Sequence, residues 1–419
     1  MDRRKFLKTL SSATAAGAVS GVGINTPNPL AALGIDEQFD GSEIRITDVR
    51  TFLVNAGKDW AFIKIYTNKG ITGLGEITMD AHAKTMETFM EEAKRYLIGK
   101  DPTLITHHWQ RIYRNAFWRN GIIMNSALSG INTAMWDILG KYLNQPVYKL
   151  LGGACRNKIR AYTHCGGDTP DALIKSAMAG LEKGFKAVKT APPITDMIEG
   201  DRYTKLVVTL IRELRNAVGP DIDIMFDGHG RLTPAMASRL GRALEEFNLL
   251  FFEEPVQCEN VEAMDKVARE VNIPIAAGER FYTKWGFRPY LEKQIVDVIQ
   301  PDPVNTGGIS EVRLIAGMAE AYYVAMAPHN PLSPINTTVC LHLDAATPNF
   351  LIQEIPGYSP ELRKEILNKD VEKVVDGYLS LPEGPGLGIE LNEDVAAKYP
   401  YKPVDLPAPS HPDGSVADW

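Results

Sequence analysis

Along residues 43–77 apolar and polar positions alternate in short runs, RITDVRTFLV, then WAFIKIYT, then, past the turn NKG at residues 68–70, ITGLGEI. A period of two broken by a glycine-containing turn predicts a meander of three strands. The period then lengthens. Helix is expected over residues 82–97 and again between 105 and 143, where Leu128, Ile131, Met135, Ile138 and Leu139 share one face. Strands followed by helices describe an α+β domain. After LLGG at residues 150–153 the texture changes to short apolar runs, each followed by a helix-like segment: IRAYTHC (159–165), FKAVKT (185–190), DIMFDGH (223–229), LLFFEEP (249–255), IPIAAGE (273–279), VDVIQPD (296–302), YVAMAPH (323–329) and FLIQE (350–354). Eight such strands with intervening helices predict a β/α barrel. Beyond Ile355 the pattern dissolves into Pro- and Gly-rich sequence, expected to pack back on the amino-terminal domain. The division that follows is a leader and linker over 1–40, an α+β domain over 41–155, a barrel over 156–355 and a carboxyl-terminal segment over 356–419.

Composition narrows the function classes. Hydrophobic residues make up 44% and charged ones 23% of the 419, which is ordinary for a globular protein, and no run of ~18 apolar residues marks a membrane span. The net charge of -7 and pI of 5.7 argue against a nucleic acid as partner, since that needs a basic footprint. A small-molecule substrate is expected. Cys155, Cys165, Cys258 and Cys340 are scattered, with no CxxC pair, so neither a zinc site nor a disulfide framework is indicated and any metal should be held by oxygen or nitrogen. At the start of the chain Arg3 and Arg4, followed by Phe6 and Leu7 and a mildly apolar run rich in Ala, Gly and Ser, resemble a twin-arginine export signal, with a periplasmic or otherwise exported protein expected and a basic tail on a cytoplasmic enzyme as the alternative.

The chemistry lies at the strand ends. Asp227, Glu253 and Glu279 are spaced 26 residues apart, one βα unit per step, so three carboxylates converge on one barrel mouth. Pressed together they repel, and a divalent cation relieves the repulsion. Oxygen ligands without thiolate or imidazole favour a hard ion, Mg²⁺ ahead of Mn²⁺. Glu254 points the other way on its strand and takes a supporting role. The series continues with Asp302, His329 and Glu354. Asp302 stands one unit before His329 and is placed to orient its imidazole and raise its basicity, which makes His329 a candidate general base. His229, two residues past Asp227, faces the same mouth as a second acid or base.

These motifs resemble those of the enolase superfamily, in its mandelate racemase/muconate lactonizing enzyme group, and within it the galactonate dehydratase family. The resemblance runs over residues 43–419 and is carried by GLGE (73–76), WDILGKYLNQPVYKLLGG (136–153), DGHGR, EEP, AAGER, IQPD with Gly307 and Gly308, AGMAEAY (316–322), APHNPLSPI and the terminal SVADW. It implies a modified TIM barrel, (β/α)7β, under an amino-terminal α+β capping domain, with Mg²⁺ held by Asp227, Glu253 and Glu279. It further implies that His329, supported by Asp302, removes the proton α to a substrate carboxylate, that His229 protonates the departing 3-hydroxyl, and that Glu354 stands beside the substrate carboxylate as electrophile; enolase-type sites in general pair a His or Lys base with Mg²⁺. Lys189 is placed to touch the substrate carboxylate or to buttress the metal carboxylates. In YRNAFWRNG (113–121) Trp118 and Arg119 are candidates to close over the substrate, Trp118 alternatively packing between domains, and residues 54–60 form a second candidate lid. KTAP (189–192) replaces the usual KLNG, DGHG replaces DFHG, and Ile355-Pro356 follow Glu354 in place of a polar residue; all line the mouth, where the sugar acid is chosen. The expected reaction is dehydration of an aldonate to its 2-keto-3-deoxy product by a homo-oligomer. The alternatives are racemisation, epimerisation or cycloisomerisation on the same fold, or a non-catalytic exported binding protein.

Overall fold

The computed structural model describes residues 43–191, 200–411 and 413–418. The twin arginines, and the part of KTAP at Pro192, lie outside the described residues.

The three expected strands form an antiparallel sheet of β1 (Ile46–Asn55), β2 (Asp59–Thr67) and β3 (Thr72–Glu76). Three helices follow, α1 (Ala83–Leu97), α2 (Ile105–Asn115) and α3 (Ile122–Tyr142). The predicted face of α3 is buried at Leu128, Ile131, Met135 and Ile138, but so are Ser129, Asn132 and Thr133 on its other side. A helix covered all round serves two neighbours, and here they are the sheet and the barrel. GLGE fits this sandwich because a Cβ on Gly73 or Gly75 would run into the carbonyl oxygens of Ala134 and Gly130. On the barrel side, Ser126 Oγ donates to Asn305 Oδ1 at 2.8 Å, the Gly307 amide donates to Ser129 Oγ at 2.8 Å, and the Ser310 amide donates to Asn132 Oδ1 at 3.0 Å.

After the short helix α4 (Val147–Leu150) the chain alternates strand and helix: β4 (Lys158–His164), α5 (Pro170–Glu182), β5 (Ala187–Thr190), α6 (Asp201–Val218), β6 (Asp223–Asp227), α7 (Pro234–Leu244), β7 (Phe252–Glu253), α8 (Val261–Glu270), β8 (Ile275–Ala277), α9 (Thr283–Lys293), β9 (Val298–Ile299), α10 (Gly308–Ala321), β10 (Ala325–Met326), α11 (Pro334–Ala346) and β11 (Gln353–Ile355). Helices start where the sequence supplies caps: Thr169, Thr233 and Ser333 each accept a hydrogen bond from the first turn and precede a proline, the combination favoured at helix N-termini. The strands pair in parallel from β4 through β10, and β11 returns to β4. The remaining seam closes through backbone at Met326, whose amide donates to the Asn349 carbonyl at 2.8 Å and whose carbonyl accepts from the Leu351 amide at 2.7 Å. Among the described residues this makes eight strands and seven connecting helices, the (β/α)7β form of the TIM barrel.

The carboxyl-terminal segment ties to both parts. Strand β12 (Tyr378–Ser380) pairs antiparallel with β4, while the Leu387 amide donates to Asp137 Oδ1 at 2.7 Å and the Tyr399 carbonyl accepts from the Asn55 amide at 2.9 Å on the capping domain.

Candidate active site

Alternation along the strands sorts the barrel interior into layers. Tyr162, Ala187, Met225, Phe251, Ala276, Val298, Ala327 and Ile352 pack together as an apolar plug. Two residues further on, toward the carboxyl ends, stand His164, Lys189, Asp227, Glu253, His329 and Glu354, so the charged layer lies at the mouth used by barrel enzymes. The alternation breaks once: Gly278 has φ +137° and no room for a Cβ beside Phe287, and it is the next residue, Glu279, that reaches His329.

Lys189 is the hub. Its Nζ donates to Glu253 Oε1 at 2.7 Å and lies 3.0 Å from Glu354 Oε1 and 3.7 Å from Asp227 Oδ2. Burial opposes its charge, but Glu253 and Glu354 hold the ammonium well above its ordinary range. Of the two roles open to Lys189, its buried position among three carboxylates favours the buttress over direct contact with a substrate. His329 Nδ1 donates to Asp302 Oδ2 at 2.9 Å and its Nε2 faces Glu279 Oε2 at 3.2 Å. Burial works against the imidazolium, yet Glu279, Glu354 and Asp302 together raise its pKa to about 10. Glu354 accepts from the Asn330 amide at 2.7 Å and from His164 Nε2; burial would lift its pKa, but Lys189, His329 and His164 hold it well below the usual range. His229 has φ +51°, its amide donates to Asp227 Oδ1 at 2.7 Å, and its imidazole approaches Arg231. Burial opposes the Glu279 anion, which His329 and then His229 stabilise strongly enough to lower its pKa, so its carboxylate lies within electrostatic reach of both imidazoles. Glu254 turns away, as its strand parity predicts, and pairs with Arg280 Nη2 at 2.7 Å.

The residues suit a divalent cation. Glu253 is 0% exposed, its Oε2 has no hydrogen-bond partner, and burial, with Asp227 and Glu279 close by, pushes its carboxyl well up despite Lys189. A buried, unpaired carboxylate oxygen among like charges is an acceptor for a cation. Among the described residues no three His, Cys, Asp or Glu side chains are drawn together as tightly as in a formed metal centre; Lys189 and His329 lie among these carboxylates.

Among the described residues no contact joins Trp118 or Arg119 to a mouth residue. Trp118 is 83% exposed, in edge contact with Phe117, so it is also not the interdomain packing residue that the sequence allowed; that position is taken by Tyr113, stacked between Trp109 and Trp285 of α9. Arg119 is exposed and lies over the Tyr113 ring, 6.0 Å from its centroid. The 54–60 loop is tied down near the end of β11, where Ser359 Oγ donates to the Ala56 carbonyl at 2.6 Å and Trp60 Nε1 to Tyr358 Oη at 2.8 Å. Sequence patterning passed over His164. Its position two residues after Tyr162, in phase with Lys189 and Glu354 on the neighbouring strands, was the available signal.

With this geometry in hand, the comparisons with known proteins agree over nearly the whole chain. Residues 51–152 match the mandelate racemase/muconate lactonizing enzyme N-terminal domain, and residues 172–395 match the enolase C-terminal domain-like family. A D-galactonate dehydratase of Xanthomonas euvesicatoria pv. vesicatoria is 39% identical, covering 90% of this chain and 100% of the relative. One from Pectobacterium atrosepticum is 40% identical with the same coverage, 90% and 100%. A solved structure of an enolase from Pantoea ananatis with bound D-gluconate and Mg superposes with a TM-score of 0.83 at 33% identity, covering 90% of this chain and 100% of that one.

Proposed function

This chain belongs to the mandelate racemase/muconate lactonizing enzyme family of the enolase superfamily, and from that premise we propose that it is a Mg²⁺-dependent acid-sugar dehydratase, acting on an aldonate and releasing a 2-keto-3-deoxy sugar acid. The observation that carries the proposal is the His329 imidazole, held at Nδ1 by Asp302 and facing Glu279 Oε2 through Nε2 at 3.2 Å, in the same mouth layer as Asp227 and Glu253. The dehydratase relatives and the gluconate-bound neighbour support the substrate class.

The roles divide among the mouth residues. Asp227, Glu253 and Glu279 would hold Mg²⁺, which would supply charge neutralisation among these carboxylates and stabilisation of the negative charge that develops on the substrate carboxylate. His329 Nε2 takes the α-proton while Asp302 keeps Nδ1 protonated and the ring oriented. The electron pair left on the α-carbon forms the new double bond to the β-carbon, and the C–O bond to the 3-hydroxyl breaks. His229 donates the proton that turns the leaving group into water, and the resulting enol tautomerises to the 2-keto acid. Lys189 and the Asn330 amide fix Glu354 in place, and His164, 41% exposed, is hydrogen-bonded beside it.

Purified protein incubated with Mg²⁺ and a panel of aldonates should form a 2-keto product from at least one, and exhaustive chelation should abolish it until Mg²⁺ is restored. Full turnover without metal would sink the reading. A protein that exchanges or inverts the α-carbon and never yields a keto acid would be an epimerase.

A further inference from the structure

Glu76 closes the GLGE run and takes no part in the chemistry above, yet it is buried at 2% exposure where the capping domain meets the barrel. Its Oε2 accepts from Ser333 Oγ at 2.6 Å and from the Asn336 amide at 3.1 Å, and its Oε1 from Thr78 Oγ1 at 2.7 Å and the Ser333 amide at 3.4 Å. A carboxylate of one domain therefore caps a helix of the other, at the N-terminus where the helix dipole favours an anion. That helix is α11, which follows the strand end bearing His329. In its first turn Asn336 Nδ2 reaches Asp302 Oδ1 at 3.4 Å. Asp302 Oδ1 also accepts from the Val304 amide at 2.8 Å, and its Oδ2 receives the His329 Nδ1 proton at 2.9 Å. Hydrogen bonds thus run without a gap from Glu76 through Asn336 and Asp302 to the base.

The position of Glu76 is not adjustable. Gly73 and Gly75 seat β3 directly on α3, and α3 is hydrogen-bonded to the barrel loop at Asn305, Gly307 and Ser310. The charge is also costly to keep there: burial, together with the nearby Asp302 carboxylate, raises Glu76 to about 7 even though Ser333 and Thr78 bond to it. Among the described residues Arg363, Tyr358 and Cys340 are other titratable groups that feel it. A glutamine would fill the same space at less electrostatic cost, so the acid calls for a reason beyond packing.

We propose that Glu76 is a positioning residue for the base: docking of the capping domain sets the first turn of α11, and through Asn336 and Asp302 it sets the orientation of the His329 imidazole. The proposal rests on the reading of His329 as base. Glu76→Gln turns one acceptor oxygen into an amide facing donors, which displaces the start of α11.

The test uses the full-length protein with Mg²⁺ and the aldonate found by the screen, in Glu76→Gln, Asn336→Ala and the double variant. Each single variant should lose about tenfold in kcat with KM changed by less than about twofold, and the double should be little worse than either, as residues in one chain of contacts are non-additive. The isotope effect with α-deuterated substrate should rise in both. Independently of turnover, the His329 Nδ1 proton resonance of histidine-¹⁵N-labelled protein, assigned by its absence in His329→Asn, should shift in Glu76→Gln. A folded Glu76→Gln with a lower Tm but unchanged kcat and resonance would reduce Glu76 to a structural cap and overturn the proposal, as would strictly additive losses in the double variant. Should Glu76→Gln fail to fold, Asn336→Ala alone decides by the same readouts. A shifted resonance in a protein that makes no keto acid would uphold the linkage and refute the dehydratase reading.

Discussion

The apolar plug and the charged mouth of the barrel are built on the same strands, two residues apart, and they oppose each other energetically. Tyr162, Met225, Phe251 and Ile352 are fully buried and gain from leaving water. Asp227, Glu253 and Glu354, next in phase, pay desolvation and are tolerated because Lys189 and His329 are threaded among the carboxylates. Tyr162 marks the boundary: its hydroxyl is buried without a partner, and its ring lies below the Lys189 ammonium, 5.7 Å from Nζ to centroid. One pleat repeat therefore separates residues that hold the fold from residues the fold has to hold.

The sharpest way to break this contrast is to cut the mouth layer. His329→Asn should abolish both dehydration and exchange of the α-proton with deuterated solvent, a loss of roughly 10³-fold or more. His229→Asn should lose dehydration by roughly 10²-fold yet keep exchange, followed by NMR on returned substrate. Normal exchange in the first and none in the second would reverse the assignment of base and acid.

Cutting the plug should do the converse. Phe251→Ala removes a fully buried ring from the layer below Glu253 and should cost roughly 3–5 kcal/mol in urea unfolding, while the folded fraction retains kcat within a fewfold. An equally destabilised variant with activity lost in proportion to His329→Asn would mean that the two layers are not separable.

The smallest effect asks whether buried charge weighs on stability beyond the mouth. Glu76 titrates at about 7 in the folded protein against 4.5 for the free side chain. Between those values the folded chain keeps a proton that the unfolded chain has released, so stability falls as pH rises through the window, by about 3 kcal/mol from this one group, and levels off above it. Glu76→Gln removes that component. Stability curves of wild type and variant should diverge from pH 4.5 to 7 and run parallel beyond; curves parallel throughout would place Glu76 in a milder environment.

Much of this was legible in the chain because β/α units repeat. The apolar runs marked every barrel strand, since a strand buried on both faces reads as a continuous hydrophobic segment, and the 26-residue spacing led to Asp227, Glu253 and Glu279 without coordinates. The same regularity concealed the break at Gly278, where equal spacing in sequence does not mean equal phase on the strand. Trp118 and Arg119 were read from the match of YRNAFWRNG to a family segment, and local sequence carries no information on which aromatic of that segment packs inward; Tyr113 does. The Glu76 relay was out of reach for another reason. Its partners lie 257 and 260 residues away, and neither periodicity nor motif spacing encodes a contact made when two domains dock.

The hydrogen bond between His164 and Glu354 joins the first barrel strand to the last, across 190 residues of chain. Loop closure over such a span is slow, and contacts between distant segments form late. On a ribosome, where the amino-terminal end emerges first, the mouth stays open until β11 has been made and has found β4. A chain that ends before β11 lacks both Glu354 of the mouth and Ile352 of the plug, so neither layer is complete until that strand has been made.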